Sequence, residues 1–356
     1  MPPNQHIKHF NGLRGLAILL VIAYHYRIGF PVMQFGWSGV DLFFVLSGYL
    51  IAMNYESYST TFDGYLQFMR NRLLRIAPLY FLVVIAFFVY ILIPGTADKQ
   101  HYYAPYIKSW YEYPLFIQNW GLILHKKHEA NHLEHFWSLA VEMQFYLLSP
   151  VLIQLMRKLK TGAVLFLIPI GLIAVRYVLA QQMDHWNEYY VYYGNTFCRV
   201  DSFLMGIFLF LNKERLNRTS LFWMAGIGLA LLVTVGWIDG DFSMHHPLMA
   251  GLGFTGFYLV YGFLVAYPFQ SNESFLSPVL LHPILQFLGK YSYGLYVFHW
   301  IVLRMAGGGL QKLLQIHMPS EWATITASNI LLLTTLALSM ISYHWIETPL
   351  LRLKKK

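Results

Sequence analysis

Apolar side chains run along this chain in long stretches broken by short polar clusters, as at residues 13–30, 76–94, 163–180 and 329–342. Such stretches approach or reach the roughly 20 residues a helix needs to cross the hydrocarbon of a bilayer. Apolar windows centred near residues 22, 45, 85, 146, 171, 203, 228, 258, 295 and 334 predict about ten spans, several weakened by Gly, Tyr and charged residues. The expected fold class is therefore all-α, a polytopic integral membrane protein of about ten transmembrane helices.

Ten spans put both termini on one side of the membrane. Placing them in the cytoplasm gathers Arg70, Arg72 and Arg75, then Arg157, Lys158 and Lys160, then Lys213, Arg215 and Arg218, then Arg352 and Lys354 to Lys356 on the cytoplasmic side. The opposite loops keep Lys99, Lys108, Lys126, Lys127 and, near the ninth and tenth spans, Arg304 and Lys312. That asymmetry satisfies the positive-inside rule and sets the orientation. One long external connection, about residues 95–135, is rich in Tyr, Trp and His, which suits an interfacial segment over the outer mouth. The first apolar run continues past Tyr24, His25 and Tyr26 with no small-residue cleavage site, so no cleaved signal peptide is expected. No repeat, Gly/Ser linker or low-complexity segment divides the chain, and few residues follow the last span. The expectation is one transmembrane domain over 1–356 with no appended soluble domain.

Composition sharpens this picture. The 356 residues are 57% hydrophobic and only 12% charged, against roughly a quarter charged in a soluble domain. The net charge of +8 sits between spans, where it orients the protein, and does not point to nucleic acid. The single cysteine, Cys198, excludes an intrachain disulfide and a cysteine-based zinc cluster, and reads as a packing residue.

Ionisable groups inside predicted spans carry the functional signal, because a charge in hydrocarbon is costly unless it serves a site or a partner. Arg14 and His25 lie eleven residues apart in the first span, almost three helical turns, so they share a face. The rise between them is roughly 16 Å, too long for contact and suited to two ends of an elongated ligand. Asp41 opens the second span between Gly39 and Gly48, two glycines that permit close helix approach. Near His25, its carboxylate would orient the imidazole and stabilise the protonated form of a general base; otherwise it is a structural ion pair. Ser138, Glu142 and Tyr146 recur every four positions and form a polar stripe on the fourth span. Arg199 and Asp201, two apart in the sixth span, point to different sides and cannot simply neutralise each other, which makes Asp41 and Glu142 candidate partners for Arg199. Arg72 and Arg75 share a helical face at the cytoplasmic side, where their guanidinium forks suit the phosphates of a cytoplasmic donor as well as a topology signal.

Two histidine strings complete the candidates. His128-Glu-Ala-Asn-His132 matches the H-E-x-x-H pattern of zinc peptidases, but it lies in a loop with His125 and His135 nearby, and a His-rich loop produces such strings by chance. No metal is therefore expected. His299, within the ninth span, is either a supporting site residue or a histidine donating to a backbone carbonyl.

Taken together, these strings resemble the acyltransferase type 3 family of bacterial membrane O-acyltransferases, from Gly12 to about Leu353. The likeness rests on Gly12-Leu-Arg-Gly-Leu-Ala with Tyr24-His25, the run from Gly39 to Ile51, Arg72-Leu-Leu-Arg-Ile-Ala-Pro-Leu-Tyr80, Trp137-Ser-Leu-Ala-Val-Glu142, Gln144-Phe-Tyr146, Arg199-Val-Asp201, Ser292-Tyr293 with His299-Trp300, and Ile346-Glu-Thr-Pro349. The resemblance implies that Arg14 and His25 are the family's essential pair, that Arg72 and Arg75 are its paired cytoplasmic arginines, and that acyl-coenzyme A, usually acetyl-CoA, is a co-substrate with no cofactor bound. It implies an acceptor hydroxyl on a surface glycan such as lipopolysaccharide O-antigen, other polysaccharide or peptidoglycan, in lipid-linked form, and a multi-pass location in the bacterial inner membrane. The chain departs from the family's pattern at Met143, where relatives commonly carry a second acid, and at His344, where they often carry arginine. Two other readings stand beside this one. A transporter or flippase of lipid-linked glycans also uses intramembrane charge, although its inverted repeat is missing. A metallopeptidase would need zinc at His128 and His132.

Overall fold

The computed structural model describes residues 3–28, 33–55, 61–93, 97–125, 132–158, 162–183, 189–270 and 274–353. Among the described residues there are helices and turns and no strand. The long helices are α1 (Pro3–His25), α2 (Gly39–Tyr55), α3 (Phe62–Leu92), α6 (Trp137–Lys158), α7 (Gly162–Gln181), α10 (Arg218–Asp239), α13 (Pro283–Gln315) and α14 (Ser320–Ser342). Shorter ones are α4 (Ala97–Lys108), α5 (Gln118–His125), α8 (Tyr190–Tyr193), α9 (Val200–Leu211), α11 (Phe254–Ala266), α12 (Ser277–Leu280) and α15 (Thr348–Leu351).

Each of the ten apolar windows centres in a helix, in order α1, α2, α3, α6, α7, α9, α10, α11, α13 and α14. By length and apolarity, seven helical stretches among the described residues suffice to cross a membrane: Ile7–His25, Gln34–Tyr55, Phe62–Leu92, Glu134–Lys158, Arg218–Asp239, Met249–Phe269 and Ser320–Leu351. The sixth window falls on α9, only 12 residues long. The protein is a multi-pass, all-α membrane protein. Among the described residues, the long connection after α3 holds α4, α5 and two 3-10 turns.

Helix ends follow local chemistry. At the start of α10, the Asn217 side chain accepts from the Ser220 amide while the Ser220 hydroxyl is in reach of the Asn217 amide, a capping box. The same helix ends at Gly240 in the left-handed conformation, φ 80°. α1 ends less cheaply. Ile28 N–H reaches Ala23 O at 2.9 Å and Arg27 N–H reaches Tyr24 O at 3.3 Å, a Schellman closure with Arg27 rather than glycine at φ 55°. That closure stops the helix directly after His25.

The chain forms two compact units. Unit 1 comprises Met1–Phe68 and Val141–Lys290; unit 2 comprises Met69–Ala140 and Tyr291–Lys356. In unit 1, α2 packs on α9 and on α1 through glycine. A Cβ at Gly48 would overlap the carbonyl of Phe203, and one at Gly206 that of Val45. A Cβ at Gly39 would likewise overlap the carbonyl of Ala17, so both glycines flanking Asp41 serve helix approach as their spacing predicted. In unit 2, Tyr80 donates to the carbonyl of Tyr113 at 2.9 Å and stacks on Phe116 at 4.6 Å, which fastens the connection after α3 onto that helix.

Candidate active site

Arg14 sits between Gly12 and Gly15, and that spacing has a steric cause. A side chain at Gly12 would collide with the carbonyl of Leu280, and one at Gly15 with that of Leu285, so α1 lies backbone to backbone against the segment entering α13. Asn11 Nδ2 adds a bond to Gln286 O at 2.8 Å. Arg14 and His25 are both half-buried, while Ala17, Ile18 and Val21 between them are buried. His25 packs its ring beside that of Tyr24, 5.1 Å between centroids. It is the last residue of α1.

The two residues serve different ends of unit 1. His9, near the start of α1, bonds Ser277 at 3.0 Å and meets Phe269 edge-on, and the neighbouring Gln270 reaches the carbonyl of Lys213 at 3.0 Å. This is the end that carries Lys213, Arg215 and Arg218. α10 carries the chain some 33 Å from Arg218 to Asp239 at the opposite end. There Tyr24 abuts Gly36, and the 3-10 turn Gln34–Ser38, α8 and the segment 240–248 join. Trp37 Nε1 donates to Phe242 O at 2.9 Å, Tyr192 to Met244 O at 2.8 Å, and the Tyr189 ring lies 5.0 Å from that of His245. Asp241 accepts from His246 Nε2 at 3.0 Å. Burial, then neighbouring His246, lowers the pKa of His245 against an opposing pull from Asp241, so its imidazole stays neutral at pH 7.

The acidic and basic groups of the middle spans pair in a buried double ion bridge. Arg199 donates to Asp41 Oδ1 at 2.5 Å, and Ser202 Oγ donates to the same oxygen at 3.1 Å. Asp201 accepts instead from Arg176 at 2.7 Å, and Arg176 also donates to Cys198 O at 2.9 Å. All four charged side chains are at most 1% exposed. The guanidinium of Arg199 faces the ring of Phe254 at 4.5 Å and that of Tyr193 at 5.1 Å. Arg199 and Asp201 thus reach different partners, as their spacing required, and Asp41 is the partner of Arg199. Sequence reasoning missed Arg176. Its signal was present, a lone arginine inside the apolar run 163–180, and the rule used for Arg199 applies to it unchanged.

Glu142, the other proposed partner of Arg199, instead accepts from Ser47 at 2.8 Å and from Tyr146 at 2.5 Å. The Glu142–Tyr146 half of the predicted stripe is therefore a bonded pair, four residues apart on α6. Ser138 belongs to unit 2, where it bonds Tyr296 OH at 2.5 Å.

In unit 2, Arg70, Arg72 and Arg75 lie within α3, which begins at Phe62, so Arg72 and Arg75 are on a helix as their spacing required. Tyr293 OH donates to Ile76 O at 2.5 Å, and the carboxylate of Glu347 is within electrostatic reach of Arg75. His344, one of the two departures from the family pattern, is 3.2 Å from Tyr291 OH. His299 is fully buried, donates Nδ1–H to Tyr296 O at 2.7 Å and meets the ring of His135 edge-on, so the backbone-bonded form of this histidine is the one observed. His132 is boxed by Phe87, Tyr102 and Tyr103, while His128 of the H-E-x-x-H string lies outside the described residues.

Comparison with known proteins gives this arrangement a family. A family model described as "Acyltransferase domain" matches residues 7–344. O-acetyltransferase OatA of Staphylococcus aureus (strain NCTC 8325 / PS 47) is 29% identical over 374 aligned positions, covering 97% of this chain and 57% of that protein. Peptidoglycan O-acetyltransferase OatA of Listeria monocytogenes serovar 1/2a is 26% identical, covering 97% of this chain and 56% of its own length. Putative peptidoglycan O-acetyltransferase YrhL of Bacillus subtilis (strain 168) is also 26% identical, over 98% of this chain and 55% of its own. The chain thus spans just over half the length of these curated relatives. No solved structure matches. With the family model covering residues 7–344, Arg14 through His344 included, the chain belongs to the acyltransferase type 3 family.

Proposed function

We propose that the protein is an O-acetyltransferase that moves an acetyl group from acetyl-coenzyme A to a hydroxyl of a cell-surface glycan. The observation that supports this most is the conjunction of family membership with a half-buried Arg14 and His25 on one helix, toward opposite ends of unit 1. The printed names of the relatives favour peptidoglycan over lipopolysaccharide as the acceptor.

In this reading Arg72 and Arg75 take phosphates of the donor, since guanidinium forks match phosphate oxygens two at a time. His25 serves the transfer itself. Acting as a base, it takes the hydroxyl proton while the sugar oxygen attacks the thioester carbonyl; the C–S bond breaks and the proton passes to the coenzyme A thiolate. Acting as a nucleophile, its imidazole nitrogen attacks the thioester carbonyl and the C–S bond breaks to release the coenzyme A thiolate; the sugar oxygen then attacks the acetyl carbon, the C–N bond to imidazole breaks, and the hydroxyl proton passes to the thiolate. Both routes balance, and a hydroxylamine-labile acetyl label on His25 marks the second. The donor assignment is tested by kinetics of purified protein with acetyl-CoA and peptidoglycan fragments. Arg72→Ala and Arg75→Ala are expected to raise KM for acetyl-CoA by about tenfold each while KM for the fragments holds. A donor KM unchanged in both variants removes the arginines from the donor site.

A further inference from the structure

The end of unit 1 remote from Lys213 and Arg218 has chemistry that the transfer step leaves unused. Three separate chain segments meet there: the turn Gln34–Ser38, α8 with Tyr189 before it, and residues 240–248. Their aromatic rings are not all sunk in the core. Phe35, Tyr189 and Phe242 are half-buried, and Phe35 and Phe242 stand 6.3 Å apart at 71°. Beside them Asp241 and His246 have side chains 41% and 38% exposed. Asp239, the last residue of α10, is half-buried; its Oδ2 takes no hydrogen bond from the described residues, while its carboxylate lies in reach of the Met249 backbone N–H and of His246. A half-buried carboxylate has lone pairs beyond those its neighbours fill, and these can accept a hydroxyl proton.

Rings that offer flat apolar faces, set beside carboxylates that accept hydroxyl protons, are complementary to one class of ligand above others. A pyranose presents an apolar C–H face and a rim of hydroxyl donors. Interfacial anchoring explains an aromatic belt, and Asp241 also holds the Ser243 amide at 2.7 Å and His246 at 3.0 Å, which fixes the acid in place beside the rings. We infer that this layer holds the glycan acceptor, with sugar faces on Tyr189, Phe35 and Phe242 and sugar hydroxyls donating to Asp239 and Asp241. The chain is continuous from there to the transfer residue: Phe35 precedes Gly36, Gly36 abuts Tyr24, and Tyr24 precedes His25. The inference rests on the proposed acetyl transfer and adds where its acceptor sits.

The test uses full-length protein in detergent, peptidoglycan fragments as the variable substrate and acetyl-CoA at saturation. Asp241→Asn and Tyr189→Ala are expected to raise KM for the fragments by about tenfold and to leave KM for acetyl-CoA unchanged, while Tyr189→Phe, which keeps the ring, stays near wild type. Asp239→Asn, which keeps the shape of the side chain, follows Asp241→Asn. Binding of a fluorescent fragment without acetyl-CoA, compared between wild type and these variants at equal folded fraction, separates lost recognition from lost folding. Wild-type fragment KM and binding in Asp241→Asn and Tyr189→Ala overturn the inference alone. Failure of the wild type to consume acetyl-CoA with any fragment overturns the acetyl-transfer reading, and this one with it.

Discussion

Arg199 is satisfied on several sides at once, by Asp41 Oδ1 at 2.5 Å and by the rings of Phe254 and Tyr193. Removing one member of a buried pair leaves the other charge unpaired, at a cost of about 3–5 kcal/mol, whereas replacing both with apolar groups of similar volume is often close to neutral. Asp41→Ala and Arg199→Ala should therefore each lower the thermal midpoint in detergent sharply, and Asp41→Leu/Arg199→Met should recover most of the loss. If the double variant melts no higher than the worse single one, the two residues do not act as a pair. The pairing was partly legible in the sequence: the two-residue offset of Arg199 and Asp201 required separate partners, and Asp41 was one of two offered. Arg176 carried the same signal as Arg199, a lone charge inside an apolar run, and was overlooked. Glu142 was misdirected for a different reason. Sequence offers every intramembrane acid to every arginine, and only packing shows that Ser47 and Tyr146 reach it first.

Elements are fixed by glycine more than by apolar pattern. Gly48 and Gly206 face each other's helices so closely that a methyl group at either overlaps a backbone carbonyl, which α2 and α9 relieve only by moving apart. At Gly226, in the middle of α10, a methyl group would meet no neighbouring atom within 4 Å. Gly206→Ala should accordingly destabilise the protein, while Gly226→Ala should be neutral or stabilising by up to about 1 kcal/mol, as expected for a helix interior. Equal melting of the two variants contradicts this packing account. Existence and order of the helices were plain from the apolar windows, because each window centres in one. Their limits were not. α3 begins at Phe62, so Arg70, Arg72 and Arg75 ride on a helix of 31 residues, longer than any hydrocarbon crossing requires. Hydropathy marks the part of a helix that lies in lipid, whereas hydrogen bonding carries the helix beyond it.

For the molecule as a whole, the family model and the apolar helices agree on a multi-pass membrane member of the acyltransferase type 3 family. The family was legible from the motifs around Arg14, His25, Arg72 and Arg75 as an ordered set, without any geometry. What geometry adds is the steric reason for Gly12 and Gly15 beside Arg14, and the closure at Arg27 that makes His25 the final residue of its helix. The central claim is that this histidine performs the transfer. Membranes carrying wild-type protein or His25→Ala, matched for protein content and thermal midpoint, are given radiolabelled acetyl-CoA and peptidoglycan fragments, and ester-linked label on glycan is counted. The account predicts label with wild type and a loss of at least about a hundredfold with His25→Ala, the low end for a general base; transfer at the wild-type rate by His25→Ala would contradict it.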